Sequence, residues 1–267
     1  MLDDRVVRVK VTGDFACFTR PDLKVERMTY PCMTPSAARG ILDSILWKPE
    51  FQWYVRRIIV LKPVRFATIK RNEINSKQGK TPIVVDEVDS SGKPKYRAQR
   101  NSVVLKDVAY IVEGSIYQKQ ASDKNKPEKY IGRKGIDADN DGMFIRRVKK
   151  GQCWRRPYLG VREFSTEFEY RGVYKLPNKP MELSETERPI PETIPIGSML
   201  FDIFYDEKGK PAPLFFYDVA MRNGVLNCEV PENDKMMQSS HIQPPMDSET
   251  SALIYNFNQR EEMEAGL

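Results

Sequence analysis

The chain is poor in the side chains that carry most acid–base and metal chemistry. It has one histidine, His241, and four cysteines, Cys17, Cys32, Cys153 and Cys228, in 267 residues. A single histidine excludes a two-histidine acid–base pair within one chain, so any general acid–base chemistry must move its proton through Tyr, Lys, a carboxylate or substrate geometry. The cysteines form no Cys-x-x-Cys pair and have one histidine to complement them, which is no zinc motif. They read as reduced, mostly buried thiols of a cytosolic protein. No apolar run approaches the roughly 20 residues that span a bilayer. The start Met1-Leu2-Asp3-Asp4-Arg5 has no signal-peptide pattern, so the expected setting is the cytoplasm. Walker A, Gly-x-Ser-x-Gly and His-Glu-x-x-His patterns are missing. Asp137-Ala138-Asp139-Asn140-Asp141-Gly142 matches the first half of an EF-hand loop, but its twelfth position is Val148 instead of a bidentate Glu. Neither a metal nor a cofactor is expected.

What is present is positive charge, unevenly spread. The formal net charge is +6. Residues 232–267 hold seven Asp/Glu against two Lys/Arg, which leaves 41 basic and 30 acidic residues in 1–231. A body of about +11 with a tail of −5 suggests a polyanion-binding body and a solvated acidic tail. With 40% hydrophobic residues the body can bury a real core.

Period-two alternation of Val7, Val9 and Val11 with Arg8 and Lys10 predicts a half-buried strand near 5–17. Thr34 can cap a helix with Pro35 at its first position, and apolar residues at helical spacing carry it over about 35–47. Strands are predicted near 51–62 and 103–117, with a protruding hairpin over about 65–100 marked by Gly79-Lys80-Thr81-Pro82 and Ser91-Gly92-Lys93-Pro94. Met143 to Val148 reads as a short basic helix. Phe201–Tyr205 and Pro213–Tyr217 read as a second hairpin. Strand, helix, strand, strand, short helix, strand is the order of a ferredoxin-like (RRM-like) α+β domain, expected over 1–170. A C-terminal antiparallel β region (171–231) and a flexible acidic tail (232–267) follow it.

The densest chemical signal is Arg146-Arg147-Val148-Lys149-Lys150-Gly151-Gln152-Cys153-Trp154-Arg155-Arg156-Pro157-Tyr158, with six cations and no acid between Arg146 and Arg156. Cations for phosphates, with Trp154 and Tyr158 for unstacked bases, are what RNA recognition requires. A solvated basic helix followed by a turn gives the same pattern. Arg20, Lys24, Arg27 and Tyr30 form a second constellation on the loop after the first strand. A charged surface crossover reads equally well there.

Several segments together resemble the type I-C (Dvulg subtype) CRISPR-associated proteins of the repeat-associated mysterious protein superfamily. They are Gly13 to Pro21, Lys24 to Tyr30, Met33 to Leu42, Trp47-Lys48-Pro49, Val60 to Pro63, Arg71-Asn72-Glu73, Arg146-Arg147 with Gly151-Gln152-Cys153, and Pro157 to Phe164. The similarity runs in order through about 5–230. It implies the ferredoxin-like domain, with residues 65–100 as a β-hairpin thumb. It further implies metal-independent cleavage of precursor guide RNA, by attack of a 2′-hydroxyl on its neighbouring phosphate. By the same resemblance the product's 5′ handle is expected to stay bound beside the backbone subunits and the large subunit of Cascade, with target DNA met only through that complex. Arg20, Lys24, Arg27, Arg39, Lys48, Arg71 and Asn72 in the matching segments join Arg146, Arg147, Lys149, Lys150, Trp154, Arg155, Arg156 and Tyr158 as candidate RNA contacts. The family carries a Lys-His pair before its Phe-Arg-Arg segment and an aromatic residue or His before Trp-Lys-Pro. Here the first stretch reads Asp139 to Arg147 and the second position is Leu46. Lys129 and Tyr130 are the nearest substitutes, Tyr130 as proton acceptor and Lys129 as the cation on the pentavalent phosphate. A handle-binding subunit that does not cut, and a DNA-binding accessory protein, are the competing readings.

Overall fold

The computed structural model describes residues 2–23, 26–76, 79–118, 142–178, 183–205, 211–229 and 242–243. In chain order these form β1 (Arg5–Ala16), β2 (Arg27–Met28), α1 (Pro35–Ile45), β3 (Phe51–Val60), β4 (Phe66–Ile74), β5 (Arg97–Gln118) and α2 (Met143–Lys149). There follow β6 (Glu167–Lys175), a 3-10 turn at Glu185–Glu187, β7 (Ile194–Tyr205), β8 (Pro211–Met221), β9 (Val225–Asn227) and β10 (Ile242–Gln243). The main sheet runs β6-β1-β5-β3-β9, antiparallel at every step. The far half of β5 carries β4 antiparallel and β2 parallel. A smaller sheet runs β10-β8-β7. The architecture is α+β, mostly antiparallel sheet with few helices.

Strand alternation settles the faces. Val7, Val9 and Val11 of β1 lie in the core with Tyr110 and Val112 of β5 and with Trp53, Val55 and Ile58 of β3. The helix α1 closes that face with Ala38, Ile41, Leu42 and Ile45, all buried at intervals of three and four. It starts where Thr34 Oγ1 accepts from Ala37 N at 3.3 Å with Pro35 in the first turn. It stops at Ile45, two residues short of the predicted end. Pro49 disfavours helical backbone at Lys48, and Leu46 turns extended into the core, where its carbonyl accepts from Trp53 Nε1 at 2.8 Å. The smaller sheet packs on the same helix: Met199, Phe201, Leu214 and Phe216 share the core, with the two Phe rings 4.5 Å apart.

Other boundaries also move. The strand predicted at 103–117 is the 22-residue β5, because the return arm of the hairpin and the central strand are one element. It bends at Asp107, whose φ is +55° and whose carboxylate accepts from Lys62 Nζ at 2.5 Å. The β6 strand crosses residue 170, β9 returns from the C-terminal region to pair with β3, and β10 places two residues of the 232–267 segment on β8.

Candidate nucleic-acid interface

A helix leaves its last carbonyls unpaired and its C-terminus partially negative, and cations there are stabilising. The last turn of α1 has no cation of its own. The segment after α2 supplies the missing groups. Asp43 O accepts from Trp154 Nε1 at 2.7 Å, Ser44 O from Trp154 N at 3.1 Å and Ile45 O from Arg147 Nη1 at 2.8 Å. The basic run is thereby docked on one end of α1, the end from which Trp47 and Lys48 continue.

The α2 helix sits there because Phe144, Ile145 and Val148 are buried, with the Phe144 and Trp53 rings 4.5 Å apart. Its opposite side leaves Arg146, Lys149 and Lys150 exposed. Gly151, at φ +63°, ends the helix, its N–H donating to Val148 O at 3.0 Å. Lys149 Nζ lies 5.0 Å from the centre of the Tyr170 ring, and Arg155 lies 5.9 Å from that of Tyr158. Arg156 pairs with Glu167 at 2.5 Å. The following loop is clamped to β1 by Cys17 N donating to Leu159 O at 3.0 Å. A Cβ on Gly160 would stand 2.1 Å from Cys17 O, so this glycine serves backbone packing inside the protein.

The other candidates lie elsewhere. Arg20 pairs with Asp22 at 2.9 Å and covers the Tyr30 ring at 5.6 Å. Arg27 on β2 pairs with Glu73 of β4 at 2.8 Å, Arg71 with Glu163, and Asn72 is exposed on β4. Arg39 is held between Asp43 of its own helix, at 3.0 Å, and Asp202 of β7, at 2.6 Å, tying α1 to the smaller sheet. Lys24, Lys129 and Tyr130 lie outside the described residues, as do His241 and the acidic loop 137–141. Thus Arg147 and Trp154 meet the α1 terminus and Lys48 follows it in the chain, Arg146, Lys149 and Lys150 are exposed at α2 beside Arg147, and Arg27 of β2 with Arg71 and Asn72 of β4 lies along the far half of β5.

Sequence reasoning did not single out Trp47 among the candidate residues. It is 54% exposed, whereas Leu46 beside it is fully buried. The available signal was an aromatic between a helix end and Lys48-Pro49, where chain leaves the core.

The sheet face opposite α1, which serves as the RNA platform in RRM domains, is closed by ion pairs. Glu113 of β5 is fully buried between Arg8 at 2.8 Å and Arg57 at 2.6 Å, and accepts from Tyr174 Oη at 3.1 Å. Glu187 holds Lys10 at 2.7 Å and Arg171 at 2.8 Å. Cations so neutralised are poor phosphate ligands. Cys32 and Cys228 offer no nucleophile in the core, since burial pushes the Cys32 thiol up to about 12 and that of Cys228 well above its usual value.

The family model described as CRISPR-associated protein (Cas_Cas5) matches residues 6–229, and the chain belongs to this family of CRISPR-associated proteins. Its curated relatives narrow the resemblance. The chain is 37% identical over 229 residues to the CRISPR pre-crRNA endoribonuclease Cas5d of Mannheimia succiniciproducens, covering 83% of this chain and 93% of that protein. It is 39% identical over 213 residues to the protein of the same name from Thermus thermophilus, covering 78% of each. A solved CRISPR-associated protein shares the fold with a TM-score of 0.53 and 21% identity, over 90% of this chain and 97% of the other. So does a functionally uncharacterized protein of Streptococcus mutans, with a TM-score of 0.54 and 19% identity, over 90% and 98%. No helix among the described residues is long and apolar enough to cross a membrane.

Proposed function

We propose that this chain cleaves precursor CRISPR RNA within the repeat and remains on the 5′ handle as a subunit of a type I-C Cascade complex in the cytoplasm. The observation that carries this is 37–39% identity, over most of their lengths, to two proteins named pre-crRNA endoribonuclease. The main-sheet order β6-β1-β5-β3, with α1 and α2 as its crossovers, supports a ferredoxin-like domain, and the paired β4 and β5 support its thumb. The exposed cations around the end of α1 support RNA binding there.

In the proposed reaction the 2′-oxygen bonds to the adjacent phosphorus as the bond to the 5′-oxygen breaks. A 2′,3′-cyclic phosphate and a 5′-hydroxyl result. Tyr130, entering as its phenolate, takes the 2′-hydroxyl proton, water protonates the leaving 5′-oxygen, and Lys129 offsets the charge of the pentavalent phosphate, without a metal. Purified protein incubated with its host's repeat RNA in EDTA tests this. Cutting at one position is expected, slowed at least about 100-fold by Lys129→Ala or Tyr130→Phe. Cutting at the wild-type rate by both variants would remove the pair from the mechanism. A second reading, a subunit that holds the handle without cutting, is favoured by Leu46, whose side chain is buried at a position where the family carries an aromatic residue or His. Tight binding by a wild-type protein that cuts nothing would establish it.

A further inference from the structure

Two of the three tryptophans are exposed at one end of one helix. Trp154 is 61% and Trp47 54% exposed, while Trp53 is fully buried. An aromatic ring buries 150–250 Å² when it is covered, so two half-open indoles on one helix end forgo a sizeable hydrophobic gain. Trp154 is also fixed: its ring N–H donates to Asp43 O at 2.7 Å and its backbone N–H to Ser44 O at 3.1 Å. Its polar atom is spent on the helix end while most of the ring faces solvent. Trp47 follows Ile45, the residue whose carbonyl Arg147 caps, by two residues, at most about 7 Å of chain. Lys48 comes next, and the exposed Arg146 and Lys150 lie within three residues of Arg147, whose guanidinium caps that helix end. The nearby carboxylate of Asp43 is engaged by Arg39 at 3.0 Å.

We infer that Trp47 and Trp154 are stacking platforms for unpaired bases of the bound RNA, each taking one nucleotide whose phosphates are held by the surrounding cations. This rests on the proposed RNA-binding reading and names the form of RNA the site takes, a splayed single strand. A ring held rigidly before binding loses little freedom when a base stacks on it, and every base has a π-face. An apolar protein partner could cover the same rings. The cations that surround them favour a polyanion.

Because Trp53 is buried, indole fluorescence separates the two sites. In Trp47→Phe the exposed emitter is Trp154, and in Trp154→Phe it is Trp47. Single-stranded repeat RNA is expected to quench the red-shifted emission in both variants, and the same RNA annealed to its complement to quench it much less. Trp47→Ala and Trp154→Ala are each expected to weaken binding by about 5- to 150-fold, the loss of one stacked base. The slope of log affinity against log salt should stay unchanged, because no phosphate contact is removed. RNA that binds with unaltered emission in both Phe variants would overturn the inference while leaving RNA binding intact. Absence of any RNA binding by the wild type would overturn both. Trp47 makes no hydrogen bond to the helix end, so its Ala variant remains informative even where Trp154→Ala fails to fold.

Discussion

Glu113 shows how a charge on a sheet can be structural. Its side chain has no exposed area, yet it meets Arg8, Arg57 and Tyr174 from three neighbouring strands, and the Arg8 guanidinium also lies 5.4 Å from the centre of the Tyr174 ring. Removing one partner of a buried pair leaves the other charge desolvated and alone, at a cost of about 3–5 kcal/mol. Glu113→Ala should lower unfolding free energy by that amount in urea titrations, because the buried Arg8 and the half-buried Arg57 both lose their carboxylate. A loss under about 1 kcal/mol would mean that water reaches Arg8 and the network is not buried as described. The same logic separates residues within the basic run. Arg147 Nη1 donates to a helix-end carbonyl, whereas Arg146 points from the exposed side of α2. Arg147→Ala is therefore expected to cost about 0.5–1.5 kcal/mol of stability. Arg146→Ala should leave the melting temperature alone and flatten the salt dependence of RNA binding by about 0.7 in log–log slope. Equal effects of the two substitutions on both measurements would show that the run acts as undifferentiated charge.

At the level of elements, the sequence carried what is local. Alternation of Val7, Val9 and Val11 marked β1, and Thr34-Pro35 with the spaced apolar residues marked α1, because a strand face and a helix start are decided within a few residues. The single length of β5 was hidden by Arg97-Ala98-Gln99-Arg100-Asn101-Ser102, a largely polar stretch before Val103 that reads as hairpin loop but is strand because β4 pairs with it. Cation roles were less legible, because their partners are distant in the chain. Arg71 meets Glu163 from 92 residues away, Arg39 meets Asp202 from 163 and Arg147 meets Ile45 from 102. Of the fifteen candidate contacts, the ones whose acidic partners lie close by along the chain, such as Arg20 with Asp22, were the only ones whose pairing a reading by spacing could have met. Gly160 also owes its role to a distant partner, its missing Cβ making room for the backbone of Cys17.

The whole molecule divides its charge, about +11 over residues 1–231 and −5 beyond. The acidic segment should act on RNA through the long-range field, for it bears no cluster of cations of its own. Exposed charges are screened beyond about 8 Å at physiological salt, against about 30 Å at 0.01 M. A chain ending at Pro231 is thus expected to associate with RNA severalfold faster than the full chain at low ionic strength, the two rates converging as salt is raised toward 0.5 M. Dissociation should change little, since no phosphate ligand is lost. The same truncation removes β10, whose two residues pair with Phe215 and Phe216 of β8. The smaller sheet would keep the β7–β8 pairing and its Phe201–Phe216 contact, so the shortened chain should stay folded and lose about 1 kcal/mol or less per ladder hydrogen bond removed. Stopped-flow association across a salt series, with a thermal melt of each chain, reads both effects. If the shortened protein is insoluble, residues beyond 231 support the body, contrary to this expectation. If it is folded and its association rate matches the full chain at every salt, the acidic segment exerts no field on the RNA-binding surface.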